Sequence, residues 1–284
     1  MGLFSSNKKT SKQEKIQNPE YLKLVVRWEA FLGKMETRFT ESLVNAEEAI
    51  LDNLNESDYD LTPTMTAWSG IKSQLQNLDN KIEDTFNNKV KPKMLDYIEE
   101  WDVIDEKQKG VRLGDSFRKR IERFEIVLEG KVSKLFFNHA IKELNKDFKC
   151  TQCSAKIEVK KDVFRSHYVS CDYCNTVNTF TPNDKITAIR WVVDNIAKYD
   201  SIAEWDTMKE YYDKYKELRS PSHGDENKEH IEAFKKREDA ERAFWLKYFT
   251  LRSEFLSDYK DTIEHDIDVK MKWLYQERKR DLNF

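Results

Sequence analysis

The sequence predicts a mainly α-helical fold: an elongated antiparallel bundle with coiled-coil-like seams and one small β insertion. Three observations point there. Glycine and proline are scarce, 7 and 5 of 284 residues, while 36% of the chain is charged and 12% aromatic, a composition suited to long solvated helices that bury narrow aromatic-rich stripes. Apolar residues recur at steps of three and four over most of the chain, which places them on one side of each helix. Over residues 148–182 that period is lost, and short β-like runs alternate with polar turns around four cysteines.

Residues 1–17 are polar after Phe4 and carry Lys8, Lys9, Lys12 and Lys15 against one glutamate, so a flexible basic arm is expected there. The first helix is expected from Pro19 to Asn55, with Tyr21, Val25, Trp28, Leu32, Met35, Phe39, Leu43, Ala46 and Ile50 on its buried side. Thr62 and Pro63 form a start signal for the second, a capping hydroxyl followed by a proline at the first helical position. Its stripe runs through Trp68, Ile71, Leu75, Leu78, Ile82 and Phe86, is kinked by Pro92, resumes at Leu95, Ile98 and Trp101, and ends at Lys109 and Gly110. Asp115 is the expected cap of a third helix that carries Phe117, Ile121, Phe124, Leu128, Leu135 and Phe136 and reaches Asn145.

Beyond the cysteine segment, with β pieces expected at Lys156 to Val159, His167 to Val169 and Thr176 to Phe180, Asp184 is the expected cap of a fourth helix. That helix rebends near Ser201 and continues through Trp205, Met208, Tyr212 and Tyr215. The turn Arg219 to Gly224 then leads into a last helix from Asp225 to Asp281, which would be roughly 85 Å long if unbroken. The domain organisation is therefore a basic arm over 1–17, a helical region over 18–147, an insertion over 148–182, and a helical region over 183–284 that packs back on the first. Such stripes need antiparallel neighbours or a second chain.

Cys150, Cys153, Cys171 and Cys174 are the four cysteines of the chain, in two C-x2-C pairs separated by seventeen residues. Two intervening residues let a tight turn aim both sulfurs at one ion, and two such turns complete a tetrahedron. Two close pairs argue for a metal in a reducing compartment rather than for a disulfide framework. The pattern resembles a zinc ribbon over residues 148–182, with CDYCNTVNTF as the second knuckle and its closing strand. Many ribbons have glycine directly after a pair, where Ser154 and Asn175 stand here; asparagine tolerates the left-handed backbone of that position better than serine does. The resemblance implies one structural Zn2+ held by four thiolates, with no position left for water. His167 lies between the pairs and is expected to be a surface or strand residue rather than a ligand.

Enzyme signatures are missing. None of the seven glycines falls in a phosphate-binding frame, and His139, His230 and His265 lack the glutamate three residues earlier that a di-iron bundle needs. Asp258, Asp261, Glu264, His265, Asp266 and Asp268 spread around a helix as a solvated face, and His223 belongs to an exposed turn. The net charge is −3, which gives no global pull toward nucleic acid. Residues 146–185 hold seven basic against five acidic side chains, and the two negative charges of a four-thiolate zinc site cancel that surplus.

No run approaches the roughly 20 apolar residues of a membrane span, and a cytoplasmic chain is expected. Met1 to Ser6 fits the pattern for acylation of Gly2, with Lys8, Lys9, Lys12 and Lys15 as the basic second signal. The function favoured by the sequence is a non-enzymatic scaffold or adaptor that presents helix faces or the ribbon to a protein partner. Nucleic-acid binding through the ribbon and peripheral membrane attachment through the arm are the alternatives.

Overall fold

The computed structural model describes residues 18–159, 166–181, 186–218 and 227–282. The expected arm with Gly2 and its lysines, the cap at Asp184 and the turn at 219–224 lie outside these residues. The fold is mainly α with one small two-stranded antiparallel sheet. The chain divides into two compact units, Met1–Glu125 and Ile126–Phe284, and the division falls inside a single helix.

Helix α1, Pro19–Glu56, begins where the Asn18 side chain accepts from the Glu20 amide and Pro19 supplies a preset first turn. Its predicted stripe is buried from Tyr21 to Ile50, except for half-buried Val25, and Leu54 extends it by one turn. Asp58 and Tyr59 then take left-handed conformations, φ 52 and 60, and reverse the chain into α2, Leu61–Thr85. The cap of α2 is Asp60, which accepts from the Thr62 amide at 2.8 Å, rather than Thr62. A carboxylate placed just after the reversal reaches the free amides first.

Pro92 has the expected effect. A π-helical turn, Phe86–Val90, widens the backbone before a short helix α3, Lys91–Met94, and the ring is accommodated without an amide to donate. The helix does not resume through Trp101. The chain passes through a 3-10 turn, Glu100–Val103, which leaves Trp101 exposed, and α4 then runs unbroken from Ile104 to Asp147. Gly110 is therefore no terminator and Asp115 no cap. Asp115 sits on the surface and pairs with Arg118, while Gly110 provides close approach: a Cβ there would stand 3.0 Å from the Trp28 ring and 3.1 Å from Ile82.

In the first unit α1, α2 and the start of α4 share one core. Phe39 stacks on Phe117 with ring centroids 4.0 Å apart, and the Trp28 indole donates to the Glu106 carbonyl at 3.0 Å. Trp68 packs on Phe124, and Lys72 grips Glu125 with both carboxylate oxygens within 2.7 Å. Each fully buried large apolar side chain of this core contributes about 1.5–3 kcal/mol.

The second unit holds the end of α4, the strands β1, His167–Ser170, and β2, Val177–Phe180, and the helices α5, Ile186–Asp200, α6, Ile202–Glu217, α7, Lys228–Phe255, and α8, Ile263–Asp281. The rebend at Ser201 is present, with its buried hydroxyl donating to Ala197 O at 2.9 Å. Helix α7 starts at Lys228 on an Asn227 cap; the expected start at Asp225 lies outside the described residues. The last helix is broken by a 3-10 turn, Ser257–Thr262, after which α8 folds back along α7, as the Arg237–Glu277 and Tyr275–Glu238 pairs show. Lys156 to Val159 is not a strand; it makes only an isolated bridge, Lys149 to Lys156.

At Gly130 of α4 the contact is closer still, since a Cβ would fall 2.2 Å from the Tyr199 Cβ of α5. Both atoms are fixed to backbone, so the helices would have to separate. Gly130→Ala is expected to destabilise the second unit by about 1–3 kcal/mol, although alanine is worth about 1 kcal/mol in helix propensity. At Gly114 the nearest atoms are the movable carboxylate of Asp79, and Gly114→Ala should stay within about 1 kcal/mol of wild type. Denaturant melts of the two variants check the contrast.

Candidate metal centre

Two loops of the same construction carry the cysteines. In the first, the Cys150 amide donates to Ala155 O at 2.8 Å and the Ser154 amide to Cys150 O at 2.9 Å; in the second, the Cys171 amide donates to Thr176 O at 2.9 Å and the Asn175 amide to Cys171 O at 2.8 Å. Each loop turns on a left-handed residue after its second cysteine, Ser154 at φ 61 and Asn175 at φ 58. Ser154 adopts the conformation despite the roughly 1–2 kcal/mol that an L side chain costs there.

The four Sγ atoms lie within 4.8 Å of one another, with Cys150 to Cys174 at 3.5 Å and Cys153 to Cys171 at 3.6 Å. None forms a disulfide. Four sulfurs at ~2.3 Å from a central ion form a tetrahedron with edges of ~3.8 Å, so this donor set fits a single ion. Among the described residues it is the one cluster of histidine, cysteine and carboxylate groups so spaced.

The thiols do not share a common acidity. The Cys153 amide, followed by that of Gln152, outweighs burial and brings the Cys150 thiol down to about 6. The Thr176 hydroxyl and amide lower Cys174. At Cys153 the Ala155 amide favours the thiolate, but the Cys174 thiol, burial and the sulfurs of Cys171 and Cys150 together push it up to about 12. Crowded thiols cannot all ionise without a cation, and the protons are then retained on some of them.

No protein-family model, curated protein or solved structure matches the chain. Its chemistry rests on its own residues.

Asn178, which sequence reasoning passed over, is the buried polar partner of the centre. Its Oδ1 accepts from the Thr151 amide at 2.8 Å and hydroxyl at 3.0 Å; its Nδ2 donates to Thr176 O at 2.9 Å and approaches the Cys150 sulfur at 3.6 Å. One amide side chain thus ties both knuckles together. The signal was the polar residue at an inward position of β2, where Asn178 and Phe180 are buried and Val177 and Thr179 exposed. Asn178→Ala strands the Thr151 amide, and should cost about 1–3 kcal/mol and weaken metal affinity about 10- to 100-fold, as competition with a chelating dye would measure.

The remaining core is small: Ile157 packs with Cys150 and Cys171, and Val159 with Phe180. His167 pairs with Phe180 across the sheet, ring against ring, and stands outside the sulfur cluster. The acidic residues around 258–268 follow a 3-10 turn into α8 and form no cluster of that kind. A cavity of about 220 Å3 between α2 and α4 is lined by Asp79, Glu83, Lys107 and Arg118, with Arg118 paired to Asp79 and Asp115. No helix among the described residues is long and apolar enough to cross a membrane.

Proposed function

We propose that Cys150, Cys153, Cys171 and Cys174 hold one structural zinc ion, that residues 148–182 are a zinc ribbon, and that the chain is a non-enzymatic scaffold or adaptor whose helix faces meet a protein partner. The observation that carries the reading is the donor set: four sulfurs in two matching knuckles, a shell that offers no position to a substrate or a water. Zinc supplies the positive charge that lets all four sulfurs lose their protons. The rest is done by the chain: backbone amides donate to sulfur, Asn178 joins the loops, and the apolar remainder is too small to fold alone. Lys149 and Lys156 face each other across the bridge beside Cys150; two like charges so placed repel, and a doubly negative thiolate site next to them offsets that cost.

The metal is tested by elemental analysis of chain purified without added metal. One zinc per chain is expected, and none in Cys150→Ser/Cys153→Ser. Iron, or no metal at all, contradicts the assignment. Affinity isolation from the native host tests the scaffold: a protein partner recovered reproducibly supports it, whereas turnover of a small molecule at the cysteines would overturn it.

A second reading, nucleic-acid binding, is favoured by Tyr168 and Tyr173, which are 78% and 81% exposed and offer stacking surfaces. Titration with DNA and RNA separates the two. Affinity that falls steeply with salt supports the second reading, and flat background binding ends it.

A further inference from the structure

Helix α8 buries Ile267, Met271 and Leu274 against the rest of the second unit. Its opposite side carries Val269, Lys272, Trp273, Gln276, Lys279 and Arg280, all exposed, at helical offsets that gather them within about a third of the circumference. Trp273 is 67% exposed, among the most open of the large apolar side chains. None of the six is acidic, and among the described residues the three cations make no ion pair. Of the acids on the same turns, Glu277 binds Lys216 and Arg237, Asp281 binds Lys216, and Asp268, exposed at the edge of the strip, lies 3.7 Å from Arg242.

Basic residues in a last turn suit the helix dipole, which accounts for Lys279 and Arg280. It does not account for Lys272, which lies more than a turn earlier, nor for an exposed tryptophan beside it. We propose that this face of α8 docks on an anionic lipid bilayer, with Lys272, Lys279 and Arg280 at the headgroups and Trp273 and Val269 entering the interface. The charge pattern requires an anionic partner. The shape chooses among such partners: a convex strip with two apolar side chains amid three cations fits a broad flat surface, where tryptophan is at home between water and hydrocarbon. Single-stranded nucleic acid is held in grooves with several stacking residues, and this strip offers one.

Co-sedimentation of the full chain with phosphatidylcholine vesicles, with and without phosphatidylserine, tests the assignment. Binding is expected only to the anionic vesicles and should fall as salt rises. Lys272→Glu/Arg280→Glu should weaken it by about tenfold or more, and Trp273→Ala severalfold. A blue shift of tryptophan emission on anionic vesicles should be reduced in Trp273→Phe. All these positions are exposed, so the variants should melt with wild type, and the salt series needs no variant. Equal binding to both vesicle types, unchanged binding of the charge-reversed chain, or association with duplex DNA in place of vesicles would each overturn the proposal.

Discussion

Stripping the proposed zinc ion with a chelator, or substituting Cys171→Ser, is expected to unfold residues 148–159 and 166–181 while leaving the long helices in place. The reason lies in the balance of terms within that segment. Its buried apolar side chains number only a few, Ile157, Val159 and Phe180 with the sulfurs of Cys150 and Cys171, and about 1.5–3 kcal/mol from each does not offset roughly 1–2 kcal/mol of backbone entropy for every residue ordered. Structural zinc binding in small knuckles is worth roughly 10–16 kcal/mol near pH 7, several times what any one of these side chains contributes, so the segment loses its largest single favourable term with the ion. Amide exchange gives the readout. Protection at Cys150, Ser154, Cys171 and Asn175, whose amides close the two knuckles, should vanish on chelation and return when zinc is restored, while α1 and α7 exchange as before. Protection that persisted in the metal-free chain would sink the coupling.

Acid should release the ion by the same route. Every ligand must be deprotonated to bind, and Cys153, pushed up to about 12 in the bare cluster, is the sulfur that most depends on the cation. Affinity is therefore expected to fall as pH falls, because protons compete at all four sulfurs.

Helix α1 was legible from end to end because its stripe is uninterrupted and its start is marked by Pro19. The cysteine centre was legible because thiolate spacing leaves few alternatives. What failed has a physical cause in each case. Gly110 reads as a helix stop, but its missing side chain serves Trp28 and Ile82, and sequence cannot distinguish a glycine needed for a turn from one needed for contact. The stripe Phe255, Tyr259, Ile263 and Ile267 keeps a spacing of four across the reversal at Ser257–Thr262, so periodicity alone saw one helix where α7 and α8 form a hairpin. The weak helix formers Ser257 and Asp258 were the available signal. Asn178 and Arg237 stayed invisible because a polar residue declares its role only through partners distant in sequence.

Arg237 leads to the second large effect. It is 2% exposed, and its guanidinium lies over the rings of Tyr212 and Tyr215 at 4.8 and 5.3 Å while Nη2 donates to Glu277. Glu241 stands 3.8 Å from Nε. This single side chain from α7 thus joins α6 to α8. Arg237→Ala removes the cation from beside two carboxylates and empties the space between the helices, so it should cost about 3–5 kcal/mol, or roughly 6–20 °C of melting temperature for a unit of this size. The two carboxylates respond to pH in opposite senses. At Glu277 burial favours the neutral form, but Lys216 and Arg237 outweigh it and hold the carboxyl below its ordinary value, so its contribution is present above the unfolded carboxylate pKa and is lost as pH falls through the depressed one. At Glu241 burial prevails over Arg237 and Trp245, with Glu277 adding to it, and the pKa is raised, so its ionisation opposes folding once pH rises past the unfolded value. Glu277→Gln should then destabilise at neutral pH and converge with wild type in acid. Glu241→Gln should do the reverse, melting above wild type at neutral pH and losing that advantage as pH drops. Melts of both variants across the acid range would decide this, and parallel curves for the two would refute the assignment of Arg237 chiefly to Glu277.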